Sequence, residues 1–380
     1  MLSTKIQQFI SDHLDSDLNK LLLQKSPVEG YSMPFIVEQI KGRKISARKY
    51  PFLRDYPQYL FPSSLSLEQS SSEATARYKA RNLFGETFAD LTAGMGIDAY
   101  FLSLNFQRIF LVEQNAELCA ILRHNFKVLE REVEVVKGDL NSFLSTVKKP
   151  LDFIYLDPAR RDQNKRKVFL LEDLSPNLLL LEQQLVDKAH RILVKLSPMI
   201  DLKYLVATLH YVRSIEVVAV RNEVKEILVH LSKEEEKETV PVTAVNLEST
   251  EPDFTFDLKD LSVGSAVYSP VRNYLYIPNN AVLKTGAFHG IALKFGLYKL
   301  HPNTHLYTSD EPIEGFPGRR LQVEQVPAKT LKKGERYQII SRNHPLSPEQ
   351  IKKKYKVGDG GHSYLIFTQD VSGKIVLKSL

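Results

Sequence analysis

Acidic side chains recur in the central part of this 380-residue sequence, each directly after a short apolar run. They are Asp90, Glu113, Asp139 and Asp157. An isolated acid at the end of a strand usually caps a turn or a helix. Four acids at successive strand ends favour a shared ligand instead, and an acid about 20 residues after a glycine turn can accept hydrogen bonds from both hydroxyls of a ribose. The spacing therefore predicts a nucleoside-binding site.

A glycine turn follows the first acid. In the stretch Phe88-Ala-Asp-Leu-Thr-Ala-Gly-Met-Gly-Ile-Asp98, a short apolar run breaks at Gly94 and Gly96, and an amphipathic run over 99–104 predicts a helix. Glycines let the backbone approach a ligand closely, and N–H groups at the start of a helix point towards it. The turn also satisfies the G-x-G-x-x-G/A dinucleotide pattern. Any strand-to-helix turn that needs glycine gives the same pattern, so the turn alone does not identify the ligand.

The elements that must position these residues alternate between strands and helices from residue 85 to 231. Strands are predicted at 88–91, 108–112, 134–136, 153–156, 192–196, 215–220 and 227–231, and helices at 116–129, 173–189 and 202–210. Repeated strand–helix–strand units with continuous apolar strands indicate a parallel sheet covered on both faces. Only residues 221–226 separate the last two strands, so these two are predicted to form an antiparallel hairpin. Ligands of such open sheets bind outside the carboxyl ends of the strands.

Residues 73–231 resemble a class I S-adenosylmethionine-dependent methyltransferase. Asp90-x-x-x-Gly94-x-Gly96 is similar to the glycine motif of that family, and the form Asp-Leu-Thr-Ala-Gly-Met-Gly is close to that of RNA methyltransferases. The terminal hairpin is also typical of the family. The resemblance implies an α/β fold with a Rossmann-like, seven-stranded sheet and S-adenosyl-L-methionine as the cofactor.

The same resemblance implies a role for each acid. Glu113 would bind the ribose, Asp139 would face the adenine, and the segment Asp157-Pro158 would lie beside the transferred methyl group. The implied cofactor-binding residues are Asp90, Thr92, Ala93, Gly94, Met95, Gly96, Asp98, Glu113, Gln114, Asp139, Leu140 and Asp157.

The chemistry of this cofactor fits the residues. Its methionine end carries an ammonium and a carboxylate, and its sulfur is cationic. Asp90 can receive the ammonium, directly or through water, while N–H groups of the glycine turn hold the carboxylate. The cofactor has no pyrophosphate, so nothing requires a third glycine, and Asp98 near the start of the helix would repel a pyrophosphate. An NAD(P)-binding oxidoreductase remains the alternative that the glycine pattern allows.

The predicted catalytic residues are Asp157, Pro158 and Arg160. Amino-group methyltransferases of this class carry an Asp/Asn-Pro-Pro-aromatic motif, whereas this sequence has Asp157-Pro-Ala-Arg-Arg161. Asp157 and the carbonyl of Pro158 can still accept hydrogen bonds from a target amino group. Arg160 can stack on a base or bind phosphate. The sequence leaves open whether Arg160 and Arg161 contact the substrate or belong to an exposed loop, since the basic run 165–167 follows.

Composition changes divide the chain into four predicted regions. They are a helical N-terminal region at 1–72, the methyltransferase domain at 73–232, and two α+β modules at 240–308 and 309–380. The whole chain resembles an uncharacterised bacterial methyltransferase family whose C-terminal parts are called ferredoxin-like and THUMP-like, and the stretches 274–278 and 299–307 carry this resemblance. Residues 1–26 are predicted to be helical, residues 280–295 to form one helix, and residues 320–326, 336–341 and 364–368 to form strands.

The remaining sequence excludes several functional classes. Its ten histidines show no metal-ligand spacing, and its one cysteine, Cys119, excludes an internal disulfide and a thiolate metal cluster, so no metal is expected. No Gly-x-Ser-x-Gly or P-loop pattern occurs. The N-terminus has no apolar signal segment, and no apolar run is long enough to cross a membrane. A cytoplasmic protein is therefore expected.

The charge distribution favours a polyanionic partner. Lys and Arg number 51 against 45 acidic residues, for a net charge of +6. The basic run over 41–49 precedes Tyr50, Tyr56 and Tyr59, and another basic run spans 352–356. Each run either contacts nucleic acid or is an ordinary solvated segment.

The sequence therefore predicts an S-adenosylmethionine-dependent methyltransferase that acts on a base in structured RNA, either tRNA or rRNA. Three alternatives stay open: the same enzyme acting on a protein or small molecule, an NAD(P)-dependent oxidoreductase, and a non-catalytic RNA-binding protein. The target atom and the oligomeric state are not determined by the sequence.

Overall fold

The computed structural model describes residues 2–62, 67–68, 70–160, 170–233, 239–262 and 264–380. Arg161 and the basic run 165–167 lie outside these ranges. The chain forms two compact units, one of Met1–Arg213 with Leu228–Glu236 and the other of Ser214–Ile227 with Lys237–Leu380. Within the described residues, no helix is long and apolar enough to cross a membrane.

The first unit begins with three helices, α1 (Thr4–Asp12), α2 (Leu18–Leu22) and α3 (Met33–Lys49). The helical segment predicted over 1–26 consists of two helices, α1 and α2. Asp17 starts α2 by accepting hydrogen bonds from the backbone N–H groups of Asn19 and Lys20, as an N-cap residue does. Apolar side chains of α1 and α3 pack together in one core.

The segment between α3 and the glycine turn is part of the same unit. It contains α4 (Glu73–Lys79), and an apolar core joins this segment to Met95 in the turn and to residues that follow it. The buried members of this core are Tyr50, Leu53, Tyr59, Phe61, Leu67, Ala76, Met95, Ile97, Phe101 and Leu129. Because Tyr50 and Tyr59 are fully buried, their rings pack in the protein and are not available for stacking on nucleic acid.

Strands and helices then alternate as the sequence predicted. The elements are β1 (Thr87–Asp90), α5 (Ile97–Leu102), β2 (Arg108–Glu113), α6 (Ala116–Val128), β3 (Glu134–Lys137), α7 (Leu140–Thr146), β4 (Leu151–Leu156), β5 (Ala159–Arg160), β6 (Leu174–Ser175), α8 (Leu178–Lys188), β7 (Ala189–Leu196), α9 (Leu202–Thr208), β8 (Val212–Val220), β9 (Glu223–Leu231), β10 (Pro241–Leu247) and β11 (Phe254–Asp257). The short strands β5 and β6 form a separate antiparallel ribbon.

The main sheet has the order β11-β10-β8-β9-β7-β4-β1-β2-β3. Strands β3, β2, β1, β4 and β7 are parallel. Strands β8 and β9 are joined by a two-residue turn, in which Arg221 and Asn222 both have positive φ, as a tight hairpin requires. The predicted α/β fold and the terminal hairpin are confirmed. The structure adds β10, parallel to β8, and β11, antiparallel to β10.

The second unit contains a separate sheet of seven strands, in the order β13-β14-β12-β15-β18-β17-β16. Its elements are β12 (Tyr274–Pro278), α10 (Asn280–Thr285), α11 (Gly290–Phe295), β13 (Tyr298–His301), β14 (Thr304–Ser309), β15 (Gly318–Gln325), β16 (Arg336–Ser341), α12 (Pro348–Tyr355), β17 (Gly358–Asp370) and β18 (Gly373–Ser379). The single helix predicted over 280–295 is wrong, because Gly286 ends α10 in the left-handed conformation at φ +76° and a second helix follows.

Candidate active site

A cavity of about 170 Å³ opens where β1 and β4 end side by side. Its lining residues are Ser70, Asp90, Thr92, Ala93, Gly94, Met95, Gly96, Ile97, Asp98, Tyr155 and Asp157. All seven predicted cofactor-binding residues between 90 and 98 therefore meet at one place, together with Asp157. The position agrees with the rule that ligands of open parallel sheets bind beyond the carboxyl ends of the strands.

Asp90 is the most deeply buried acid of the cavity, with 1% of its surface exposed. Its Oδ1 accepts hydrogen bonds from the backbone N–H of Thr92 at 2.9 Å and from the hydroxyl of Thr92 at 3.4 Å. The same hydroxyl accepts a hydrogen bond from the backbone N–H of Asp157 at 2.7 Å. Thr92 thus links the ends of β1 and β4. Burial raises the pKa of Asp90 well above its usual value.

The glycine turn needs both of its glycines. Gly94 and Gly96 have φ of +53° and +82°, and a Cβ on Gly96 would lie 2.6 Å from the ring of Phe126. The sequence predicted that backbone N–H groups of the turn hold a ligand, but two of them donate hydrogen bonds within the protein. The N–H of Gly94 donates to Glu113 Oε2 at 3.0 Å, and that of Gly96 donates to the carbonyl of Ala93 at 2.8 Å.

Glu113 contacts this turn, and neither Glu113 nor Asp139 is among the residues that line the cavity. Besides the bond to Gly94, Glu113 accepts from the backbone N–H of Asn115 at 2.8 Å, and its carbonyl accepts from the N–H of Gly138 at 3.0 Å. These bonds bring the ends of β1, β2 and β3 together.

Asp139 is exposed and caps α7. It accepts hydrogen bonds from the hydroxyl and the backbone N–H of Ser142, at 2.7 and 3.0 Å, and these bonds lower its pKa. Of their predicted neighbours in the site, Gln114 is exposed and Leu140 is buried. The cap explains why an acid stands at Asp139, and the exposed carboxylate remains accessible to a ligand.

Asp98 has a different environment from the one the sequence suggested. Its Oδ1 lies 3.1 Å from Lys79 Nζ, and its Oδ2 accepts from the hydroxyls of Ser71 at 2.7 Å and Tyr155 at 2.8 Å. Burial opposes ionisation of Asp98, but Lys79 and then Lys195 outweigh it and hold its pKa below the usual value. The expected repulsion of a pyrophosphate by Asp98 is therefore wrong, because Lys79 neutralises the carboxylate.

Asp157 faces the cavity with 34% of its side chain exposed and pairs with Lys195, whose Nζ lies 2.5 Å from Oδ2. Burial raises the pKa of Asp157, and Lys195 opposes that shift. The next residue, Pro158, is buried. Arg160 is half-buried, pairs through its backbone with Leu174 in the β5–β6 ribbon, and is not among the residues that line the cavity.

Sequence reasoning missed the roles of four residues around these acids. They are Ser71, Lys79, Tyr155 and Lys195. Lys195 had a signal, because it lies at the carboxyl end of an apolar strand, as the four acids do. Lys79 lies in a short helix among other charged residues, and Ser71 lies in a polar stretch predicted to be a domain boundary, so neither stood out. In the part of the chain that the structure describes, no group of three or more acidic, histidine or cysteine side chains is arranged to hold a metal ion.

The site fits the cofactor that the sequence suggested. A buried carboxylate, Asp90, lines the cavity and is suited to an ammonium group, while Glu113 stands beside the turn where it can meet ribose hydroxyls. The sheet order with its terminal hairpin and the glycine turn between β1 and α5 together define a class I methyltransferase fold.

Comparisons with known proteins agree with this class. Residues 67–210 match a family described as conserved hypothetical protein 95, residues 274–317 match a ferredoxin-like domain, and residues 318–377 match a THUMP domain-like family. An uncharacterised S-adenosylmethionine-dependent methyltransferase of Mycobacterium tuberculosis is 26% identical over 362 residues, which cover 91% of this chain and 95% of that protein.

Two further proteins are similar to this chain, one over its whole length and one over part of it. The crystal structure of a protein from Porphyromonas gingivalis W83, named as a methyltransferase, is 33% identical, with a TM-score of 0.88, and the match covers 100% of this chain and 98% of that one. The ribosomal RNA small subunit methyltransferase J of Coxiella burnetii is 31% identical over 129 residues, which cover 29% of this chain and 49% of that protein.

The chain belongs to the bacterial family of S-adenosylmethionine-dependent methyltransferases that carry C-terminal ferredoxin-like and THUMP-like domains. It is an enzyme of that class, and its cofactor is S-adenosyl-L-methionine. The alternatives of an NAD(P)-dependent oxidoreductase and of a non-catalytic RNA-binding protein are therefore set aside.

Proposed function

We propose that this enzyme methylates a base in structured RNA, either tRNA or rRNA. The similarity to a ribosomal RNA methyltransferase over part of the central domain and the THUMP-like match at 318–377 support an RNA substrate. The net charge of +6 is favourable for binding a polyanion. Because an RNA substrate and a reduced, buried Cys119 both suit the cytoplasm, we place the protein there.

The cofactor would be held at the ends of the first three strands. Asp90 would receive the ammonium, and the turn from Thr92 to Gly96 would enclose the methionine end. Glu113 would accept hydrogen bonds from the ribose hydroxyls with one carboxylate oxygen while it keeps the turn in place through Gly94. Asp139 and Leu140 would border the adenine, together with Gln114. Asp98 would line the methionine end of the site, held in place by its pair with Lys79.

S-adenosylmethionine supplies a methyl group that its cationic sulfur has already activated. The protein must therefore place a nucleophilic nitrogen in line with that group, about 3 Å away, and exclude water. Asp157 and the carbonyl of Pro158 would accept hydrogen bonds from the target nitrogen. Arg160 would contact the RNA by stacking on a base or by binding a phosphate.

The observation that carries this proposal is the fixed position of Asp157 at the cavity. Its backbone N–H is bonded to Thr92, its side chain is bonded to Lys195, and its remaining surface is open to the cavity. An acceptor held at both ends loses little conformational freedom when the substrate binds, which favours a role in orienting the reacting nitrogen.

Transfer of labelled methyl groups to total RNA tests the proposal. The RNA should come from a strain that lacks the gene, so that the target is unmethylated, and should be separated by size before nucleoside mass spectrometry. We expect label in one methylated nucleoside of the tRNA or rRNA fraction. Label in protein or small molecules, with none in RNA, would instead support the alternative substrates.

Methyl transfer by two variants tests whether the activity depends on the candidate site. Asp157→Ala should reduce transfer by about 100-fold or more, since it removes an acceptor from the target nitrogen. Asp12→Asn changes an exposed acid of α1 outside the site and should leave transfer unchanged. Transfer that survives Asp157→Ala intact would remove Asp157 from the chemistry.

A further inference from the structure

Lys195 extends from the carboxyl end of β7 towards Asp157 at the end of β4. Its Nζ lies 2.5 Å from Asp157 Oδ2 and 3.4 Å from the hydroxyl of Ser71, which in turn contacts Asp98 and Lys79. The lysine side chain is 11% exposed, whereas that of Asp157 is 34% exposed. The acid therefore reaches the cavity while its cationic partner is largely withdrawn from solvent.

We propose that Lys195 is a positioning residue that keeps Asp157 an oriented carboxylate, ready to take the proton that the target nitrogen loses on methylation. This inference rests on the proposed methylation of a base nitrogen. In this proposal, the ionisation of Asp157 before the reaction is controlled by Lys195, which does not line the cavity.

Among the residues that the structure describes, the charged groups that face Asp157 come from four elements. They are Lys195 on β7, Lys79 on α4, Asp98 at the start of α5 and Asp90 at the end of β1. Lys79 is paired with Asp98, and Asp90 is bonded to Thr92, so Lys195 is the cation in direct contact with Asp157. Burial favours the protonated form of Asp157, and the ammonium of Lys195 acts against it.

The proton balance explains why this matters. The lone pair of the target nitrogen forms the bond to the methyl carbon, while the carbon–sulfur bond breaks and its electron pair passes to sulfur. The nitrogen then carries a positive charge, and its surplus proton passes to an oxygen of Asp157 and from there to water. A protonated Asp157 cannot take this proton, so its ionisation sets the acid limb of the pH–rate profile.

The pH dependence of single-turnover methyl transfer to RNA tests the proposal with two variants and a control. Lys195→Met should move the acid limb upward by about one pH unit or more, because Asp157 loses its cation. Below the shifted limb the rate should fall about tenfold relative to the unaltered enzyme, and it should recover as the pH rises above that limb. Lys195→Arg should keep the acid limb near its original pH. Lys203→Met, which changes an exposed lysine of α9, should not alter the profile.

A loss of rate by the same factor at every pH, or no loss at all, would overturn the positioning role. The affinity of Lys195→Met for S-adenosylmethionine, measured by calorimetry, should stay within about twofold of the original, since Lys195 does not line the cavity. A large loss of affinity would make Lys195 a cofactor-binding residue instead and would also contradict the proposal.

A second measurement applies if Lys195→Met fails to fold. Carbon-13 NMR can follow the carboxyl signal of Asp157 in the unaltered protein, assigned by its loss in Asp157→Asn. We expect Asp157 to be a carboxylate at neutral pH. A protonated Asp157 at neutral pH would contradict the inference. This titration also separates the two failures, because it reports the state of Asp157 even if the protein transfers no methyl group to RNA.

Discussion

Asp90 and Asp157 stand at the ends of neighbouring strands, and Thr92 bonds to both, yet their partners differ. Asp157 has a lysine in contact, whereas the carboxylate of Asp90 accepts its hydrogen bonds, within the described residues, from Thr92. A buried acid without a cation holds its proton to higher pH than usual. Binding of an ammonium group at Asp90 is therefore expected to compete with protonation.

The first prediction concerns this competition. Because the pKa of Asp90 is raised, the affinity for S-adenosylmethionine should fall as the pH is lowered from about 7 to about 5, by up to about tenfold per pH unit once Asp90 is protonated. Calorimetry in buffers of different ionisation enthalpy should detect proton release on binding. Asp90→Asn should bind about tenfold or more weakly, without this pH dependence. Equal affinity of the unaltered protein at both pH values would contradict the assignment.

The second prediction concerns the buried pair of Lys79 and Asp98. Lys79→Met leaves a carboxylate buried without its cation and should lower the free energy of unfolding by about 3–5 kcal/mol. Lys79→Met combined with Asp98→Asn should recover part of that loss, because no unpaired charge remains. Urea denaturation measures both effects.

Lys233→Met is a suitable control for this pair. Lys233 forms an ion pair with Asp187 at the surface, and its removal should leave the free energy of unfolding unchanged. The pKa of Asp98 is lowered in the folded protein, so its contribution is complete above its unfolded pKa, about 4, and is lost as the pH falls through the lower folded value. If Lys79→Met proves as harmless as Lys233→Met, the pair does not stabilise the site.

The glycine turn between β1 and α5 is the element on which the cavity depends. Its two glycines differ in their surroundings. A Cβ on Gly96 would lie 2.6 Å from the ring of Phe126 and 2.8 Å from a methyl group of Leu122, whereas the nearest atom to a Cβ on Gly94 would be a backbone oxygen at 3.8 Å. Both residues have left-handed backbone angles, so only Gly96 combines an unfavourable backbone with a steric clash.

The third prediction follows from this difference. Gly96→Ala should lower the free energy of unfolding by about 2–4 kcal/mol, through the backbone angle and the overlap with α6. Gly94→Ala should cost only about 1 kcal/mol, from the backbone angle alone. Chemical denaturation of the two variants provides a matched comparison. Equal losses in the two variants would show that packing against α6 does not set the shape of the turn.

The C-terminal modules are connected through one sheet. Strand β12 pairs with both β14 and β15, so strands from the predicted regions 240–308 and 309–380 lie side by side. The division of the chain at these boundaries stays a prediction. Helix α12 presents Lys353 and Lys354 to solvent, while Lys352 is paired with Glu349 and Asp359. The exposed pair is a candidate contact for RNA phosphates.

The fourth prediction tests this surface in the full-length protein. Binding of structured RNA should weaken steeply with salt, since phosphate contacts release counterions. Charge reversal at both Lys353 and Lys354 should reduce the slope of log affinity against log salt by about one to two. The same double change at Lys148 and Lys149, exposed near the amino end of β4, should have little effect. If the two double variants bind RNA equally well, α12 does not contact RNA.

The sequence by itself determined the α/β fold class of the central domain and the strand ends at which the site was predicted. The alternation of apolar strands with helices, the short connection predicted over 221–226 and the glycine turn are local features, because hydrogen-bond geometry and side-chain size act over a few residues. The acids at 90, 113, 139 and 157 follow from the same alternation, which fixes where strands end.

Only the tertiary structure decided which charges meet. Ser71 and Lys195 are 124 positions apart in the sequence, and Lys79 reaches Asp98 from another helix. Such pairs depend on how separate helices and strands pack, so no local sequence pattern predicts them. The same holds for the burial of Tyr50 and Tyr59. Desolvation then makes each such contact strong, because a charge withdrawn from water needs a partner, and only the folded chain supplies it.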